Sequence, residues 1–135
     1  MKPLPSFAAP GAGHPTPAPG DPSDPRVALL EKAERFAARH GPQMVWRIAP
    51  LAQHLGLALR GSRCHARALT LVLDALHAAR RAHELPPFLD EAIALGPPAG
   101  SPLAISVGFA RCTVLSSEGL YDAAMAALDT IEAAG

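Results

Sequence analysis

Apolar residues return every three or four positions along most of the chain beyond residue 24, which is the period of one face of an α-helix. The clearest stripe consists of Leu69, Val72, Leu73 and Leu76. Such stripes, separated by glycine and proline, predict helices over residues 24–40, 42–48, 51–59, 62–84, 88–95, 103–115 and 120–134. The expected fold is all-α, either a small bundle of six or seven short helices or a stack of helical hairpins.

Capping residues mark several of these helix ends. Asp24 stands before a proline, a typical N-cap and first-turn signature, and Ser101 repeats this signal before Pro102. Gly41 can end the first helix in the left-handed conformation. Pro50 lacks an N–H and clashes with the turn before it, so we expect the helix to break there.

The last two predicted helices differ in character. Residues 103–115 are apolar on nearly every side, which is typical of a buried central helix. Residues 120–134 are amphipathic. The pattern assigns Leu120, Ala124, Leu128 and Ile131 to the core, and it leaves Asp122, Asp129 and Glu132 to solvent.

The N-terminal segment has a different composition. Eight of the fifteen prolines lie within residues 1–25, and no helical period occurs there. Residues 1–23 are expected to form a disordered, proline-rich leader, and residues 24–135 a single helical domain. Because such a leader buries little apolar area, removal of residues 1–22 is expected to leave the melting temperature nearly unchanged.

The apolar runs and the two cysteines bear on location. Prolines interrupt the N-terminal hydrophobicity that a secretory signal would need. The longest apolar run, residues 103–110, is far shorter than the roughly 20 residues of a membrane span. Cys64 and Cys112 make no disulfide framework and are expected to be buried free thiols, although the sequence leaves their pairing open. We therefore expect a cytoplasmic protein with no membrane partner.

Charge is distributed unevenly, although the net charge is zero. Residues 26–81 hold ten Lys and Arg against three acids, a net +7, whereas residues 82–135 hold seven acids and one arginine, a net −6. This polarity can steer a charged partner to one side or pair two copies head to tail. Equally, the two halves can pack together and neutralise each other.

The C-terminal segment has the spacing of a known helical hairpin. Gly119 ends a helix, Tyr121 follows two positions later and Ala124 allows close packing, while Cys112, Leu115 and Leu128 complete the pattern. Residues 101–134 in this way resemble one tetratricopeptide-type repeat, which implies a protein-binding scaffold without chemistry of its own. The segment departs from the repeat at Gly108 and Phe109, where an aromatic is out of step, and at Ile131, which replaces an alanine.

Two shorter stretches carry a second resemblance. GSRCHARAL at residues 61–69 and RCTVLSSEGLYDAA at residues 111–124 are similar to stretches of small helical chaperones of type III secretion systems. This resemblance implies a chaperone-like module that binds another protein.

The basic stretch supplies the candidate binding residues. Arg60, Arg63 and Arg67 fall at the spacing i, i+3, i+7, which places them on one face of a helix. They suit an acidic protein surface. Alternatively, with Ala52 and Gly56 before them they could form a helix-turn-helix that contacts DNA phosphates.

The sequence gives little support to metal binding, catalysis or phosphate binding. The six histidines and two cysteines lack zinc-ligand spacing, no nucleophile has a base on the same helix face, and no glycine-rich phosphate loop occurs. We therefore expect no cofactor, metal or catalytic residue. The predicted function is a non-enzymatic protein-binding adaptor or chaperone-like module, which could also be a homo-oligomer. The alternatives are a small helix-turn-helix DNA-binding regulator and an accessory subunit of an enzyme complex.

Overall fold

The computed structural model describes residues 18–134, and this part of the chain contains helices and no strand. The predicted all-α fold is thereby confirmed. The α-helices are α1 (Pro25–His40), α2 (Pro42–Val45), α3 (Ala49–Ala58), α4 (His65–Ala78), α5 (Leu85–Ala94), α6 (Pro102–Ser117) and α7 (Tyr121–Ala134). Short 3₁₀ turns connect α2 to α3 (Trp46–Ile48) and α4 to α5 (Ala82–Glu84).

The predicted helix starts are largely confirmed. The Asp24 carboxylate accepts a hydrogen bond from the Arg26 N–H and caps α1, and the Ser101 hydroxyl accepts one from the Ala104 N–H and caps α6. Pro50 lies in the first turn of α3, where its missing N–H costs no helical hydrogen bond. The predicted break therefore occurs just before this proline.

Helix α4 is the centre of the fold. Eight of its fourteen residues are buried, and it packs against α2, α3, α5 and α6. On one side it meets α3 so closely that a Cβ on Gly56 would lie 2.8 Å from Val72 Cγ2. The prediction that residues 103–115 form the central helix is wrong, because α6 buries one side only and leaves Ile105 42% and Phe109 44% exposed.

The predicted bounds of the α4 segment, residues 62–84, are too wide at both ends. At the N-terminal end Gly61 has φ +77, and the Ser62 hydroxyl donates to the Leu59 carbonyl, so the chain turns before the helix starts at His65. At the C-terminal end Arg80 has φ +58, and the Arg81 N–H donates to the Leu76 carbonyl. This left-handed cap stops the helix six residues early.

The predicted leader, residues 1–23, divides at residue 18. Residues 1–17 lie outside the described part of the chain. The remainder makes turns that pack on the domain, since Gly20 is buried, its N–H donates to Asp24, and its carbonyl accepts from Arg63 Nε at 2.9 Å. The packed structure therefore begins before the expected boundary at residue 24.

Helix α7 forms a hairpin with α6 and packs chiefly against it. Of the four residues that the sequence assigned to its core face, Ala124 is buried and Ile131 half-buried. Leu120 and Leu128 are 51% and 44% exposed, so their assignment to the core is wrong. The reason is that α7 packs chiefly against one helix, whereas a core helix is covered from several sides.

Candidate functional site

The three arginines of the basic stretch do not share one helix. Arg60 and Arg63 lie in the turn between α3 and α4, and only Arg67 lies on α4. The spacing i, i+3, i+7 predicted that they lie on one face of a helix. Because α3 ends at Ala58 and α4 begins at His65, that prediction is wrong.

Two of these arginines are already bound to acids of the same chain. Arg60 Nη2 lies 2.5 Å from Glu91 Oε2. The Arg67 guanidinium donates twice to the Glu34 carboxylate, which raises the pKa of Arg67. These ion pairs join α4 and its preceding turn to α5 and α1, so they neutralise most of the positive charge that the sequence pattern offered to a partner.

Glu91 also binds the buried imidazole of His65. His65 Nδ1 accepts from the Gly61 N–H at 3.2 Å, so Nε2 carries the proton and donates to Glu91 Oε1 at 2.8 Å. Burial acts to raise the pKa of Glu91, but the hydrogen bonds from Arg60 and His65 outweigh it and lower the pKa. Sequence reasoning missed this network because Glu91 lies 26 and 31 residues from its partners.

A groove of about 430 Å³ lies beside the basic stretch. Its walls combine Arg63 and Arg67 with apolar side chains of the α5–α6 connection, among them Leu95 and Pro97. Arg63 Nε donates to the Gly20 carbonyl. Because this acceptor is neutral, the hydrogen bond does not neutralise the positive charge of Arg63. The groove is open, and among the described residues it contains no grouping of three or more metal-binding side chains.

A second surface is apolar and lies at the other end of the chain. The α6–α7 hairpin carries six of the eleven large hydrophobic side chains that are exposed in the described part of the chain. They are Ile105, Phe109, Leu120, Tyr121, Met125 and Leu128. We call the stripe formed by Tyr121, Met125 and Leu128 the α7 face; its members are 65%, 59% and 44% exposed and follow the spacing i, i+4, i+7.

Acidic residues border the α7 face. Asp122 and Asp129 lie seven residues apart along one flank, and Glu132 continues the stripe one turn beyond Leu128. All three carboxylates are exposed, none forms an ion pair with a described residue, and α7 contains no basic residue. The α7 face is therefore an apolar stripe in a negative field, which suits an apolar segment carrying positive charge.

The sequence contained the signal for this face. Tyr121, Met125 and Leu128 have a helical period, but the interpretation assigned Leu128 to the core and gave the other two no role on the surface. A second groove, of about 500 Å³, runs between α6 and α7 and is lined mostly by small and aliphatic residues, so the hairpin has open apolar surface in addition to the α7 face.

The cysteines do not form a disulfide in the described structure. Cys64 is buried, and Cys112 is half-buried with its Sγ 3.5 Å from the Ala124 carbonyl oxygen. Cys112 is thus more accessible than the sequence led us to expect. As for membranes, none of the helices formed by residues 18–134 combines the length and apolar character needed to cross one.

Comparison with known proteins identifies no relative. No family model matches the chain, and neither a curated protein nor a solved structure shows significant similarity to it.

Proposed function

We propose that this chain is a non-enzymatic partner-binding module whose docking surface is the α7 face. The observation that carries the proposal is the exposure of Tyr121, Met125 and Leu128 in one continuous stripe. Large apolar side chains grouped in this way are typical of protein interaction sites, whereas single exposed hydrophobics are common on any surface.

The partner is inferred from charge. The exposed Asp122, Asp129 and Glu132 border the apolar stripe, so the chemistry of the face fits an amphipathic helix whose apolar side is flanked by lysine or arginine. This differs from the acidic partner expected at Arg60, Arg63 and Arg67. We place the docking surface on α7 because Arg60 and Arg67 already bind Glu91 and Glu34.

DNA binding by a helix-turn-helix is the less favoured alternative. Its recognition helix would be α4, which is central and buries eight of its fourteen residues. The exposed side of α4 offers one arginine, Arg67, already paired with Glu34, together with the acidic Asp74. A recognition helix instead needs an open side with several cationic or amide side chains that reach the groove.

Site-specific photo-crosslinking tests the proposal. Met125 is replaced by a photoreactive phenylalanine derivative in the full chain, within cells that express it, and the same substitution at Arg63 examines the basic stretch. His83, whose side chain is 79% exposed, is the control outside both surfaces. We expect protein adducts from position 125 alone. Adducts from position 63 without any from 125 would transfer the function to the basic stretch, and adducts from neither would refute protein binding by these surfaces.

Duplex binding provides a separate check on the alternative. A protein with only generic electrostatic attraction binds DNA no more tightly than roughly 10⁻⁵ M at physiological salt. We expect this weak level for the full chain in a filter-binding or fluorescence-anisotropy titration. Sub-micromolar, sequence-dependent binding that falls on replacing Arg60, Arg63 and Arg67 with glutamine would support the DNA-binding regulator instead.

A further inference from the structure

Helix α1 carries an apolar surface whose charge is opposite to that of the α7 face. Leu29, Lys32, Phe36 and Arg39 follow the spacing i, i+3, i+7, i+10, which aligns them along one side of the helix, with Arg35 beside them. Leu29 is 38% exposed, and Phe36 is half-buried against His40 with ring centroids 4.6 Å apart. We call this stripe the α1 face.

The cations of the α1 face are available to a partner. Lys32, Arg35 and Arg39 are exposed and form no ion pair with any described residue. Of the two acids of α1, Glu34 binds Arg67, and Glu31, one turn before Arg35, forms no ion pair with any described residue. The α1 face is thus an apolar stripe with an unpaired positive flank.

The α1 and α7 faces do not contact each other within one molecule. Helix α1 packs chiefly against α2 and α3, whereas α7 packs against α6, which itself rests on α4 and α5. The two helices are of similar length, 16 and 14 residues, or about 24 and 21 Å at 1.5 Å per residue. They can therefore lie side by side only if they belong to different molecules.

We propose that the partner of the α7 face is the α1 face of a second copy of this chain. This inference rests on the proposed function, since it names the occupant of the same surface. Apolar side chains meet along the two stripes, while Lys32, Arg35 and Arg39 of one copy oppose the carboxylates of the other. Because the two surfaces differ, the contact is head to tail, and each bound pair of copies leaves one face of each kind open for further copies.

The expected association is weak and depends on salt. A stable dimer interface buries roughly 800 Å² on each partner, more than two short helical stripes supply. We therefore expect dissociation constants on the order of 10–100 µM at low ionic strength, increasing as salt screens the exposed charges. Sedimentation velocity of the full chain, up to about 500 µM and at about 20 and 300 mM NaCl, should show species growing with concentration at low salt.

Two charge-reversal variants locate the contact. The first, K32E/R35E/R39E, disrupts the α1 face and keeps the α7 face, and the second, D122K/D129K/E132K, does the opposite. All six positions are exposed, and the thermal unfolding of each variant verifies its fold. Each variant alone should self-associate at least about tenfold more weakly than the unaltered chain. Their mixture should associate again, with the two variants alternating, because the α1 face of each variant is opposite in charge to the α7 face of the other.

A third variant that combines all six reversals exchanges the signs of the two faces, and it should recover self-association. Three results would overturn the inference. One is a chain that stays monomeric at low salt, another is self-association that the α1 reversal leaves unchanged, and the last is a mixture of the two variants that does not associate. If position 125 crosslinks to a different protein while the chain is monomeric, this inference fails and the proposed function stands.

Discussion

Gly108 of α6 packs directly against Ile131 of α7, and a Cβ added to the glycine would lie 2.6 Å from Ile131 Cγ1. Both residues depart from the tetratricopeptide-type pattern, and the structure shows that the departures face each other. A residue without a side chain on one helix makes room for a large one where the repeat has alanine. The hairpin predicted from residues 101–134 is present, while membership of that family stays a prediction.

This contact predicts that the effect of Gly108→Ala on the free energy of unfolding depends on the residue at position 131. Gly108→Ala gains about 1 kcal/mol of helix propensity, but it forces a methyl group onto Ile131 at a cost of about 1–3 kcal/mol, so stability should fall or at best stay level. In the Ile131→Ala background the clash is gone, and Gly108→Ala should stabilise by up to about 1 kcal/mol. Urea unfolding of the four proteins measures the coupling; equal effects in both backgrounds would contradict it.

Arg80 holds a conformation that suits glycine. It has φ +58 and occupies the left-handed position after α4, where the Arg80 and Arg81 N–H groups cap the His77 and Leu76 carbonyls. A side chain costs about 1–2 kcal/mol in this region, so Arg80→Gly should raise the free energy of unfolding by about 1 kcal/mol. The matched control is Ala79→Gly, since Ala79 has ordinary helical angles and should lose stability. A loss at position 80 as large as at 79 would exclude strain at Arg80.

The low pKa of Asp24 predicts that part of the folding stability is lost in acid. The Arg26 side chain lowers the pKa of this buried cap to about 2 from 3.8, against the opposing effect of burial. A carboxylate with a depressed folded-state pKa adds stability that is present above the unfolded value and is lost as pH falls through the folded value. The stability gap between the natural chain and its Asp24→Asn variant should therefore narrow from about pH 4 to about pH 2. Urea titrations at several pH values measure it, and a gap independent of pH would contradict the assignment.

The segment just before α1 should contribute to stability, contrary to the sequence-based expectation for residues 1–22. A chain beginning at residue 18 keeps the Gly20 carbonyl bound to Arg63, whereas a chain beginning at residue 23 loses it. The shorter chain should melt at a lower temperature. Arg63→Gln should then destabilise the longer chain but have little effect on the shorter one, because its partner is gone. Equal effects of Arg63→Gln in both chains would show that Arg63 does not act through Gly20.

Local chemistry explains which parts of the fold could be predicted. Asp24, Pro50 and Ser101 set helix ends through their own backbone and neighbouring N–H groups, so they can be identified from a few adjacent residues. The early end of α4 could not be identified, because it depends on Arg80 adopting a conformation that arginine seldom takes. No pattern in the sequence marks such a residue in advance.

Burial proved harder to predict than helix position. The apolar composition of α6 indicated a central helix, but centrality depends on which helices surround it, and α4 takes that place. The ion pairs of the basic stretch could not be predicted for a similar reason, since Glu91 and Glu34 approach Arg60 and Arg67 only through the tertiary fold. Charge counts along the chain record where cations occur, and they do not record which are already paired.

Glu91 predicts an asymmetry between two substitutions that break the same ion pair. Arg60 is 54% exposed on its side chain, so Arg60→Ala should cost no more than about 1 kcal/mol, the usual range for a surface ion pair. Glu91→Ala removes the same ion pair and also leaves the buried His65 Nε2–H without its acceptor. An unsatisfied buried donor costs about 1–3 kcal/mol, so the glutamate substitution should be the more damaging.

The pH dependence separates this account from a simple loss of packing. Because the pKa of Glu91 is lowered, its contribution is present above the unfolded-state pKa and declines as acid protonates the folded carboxylate. The difference between the natural chain and Glu91→Ala should therefore shrink on acidification, measured as free energies of unfolding in urea. Arg67→Ala is the matched control, since it breaks the Arg67–Glu34 pair without affecting His65. If it proved as costly as Glu91→Ala, the special role of the His65–Glu91 hydrogen bond would be refuted.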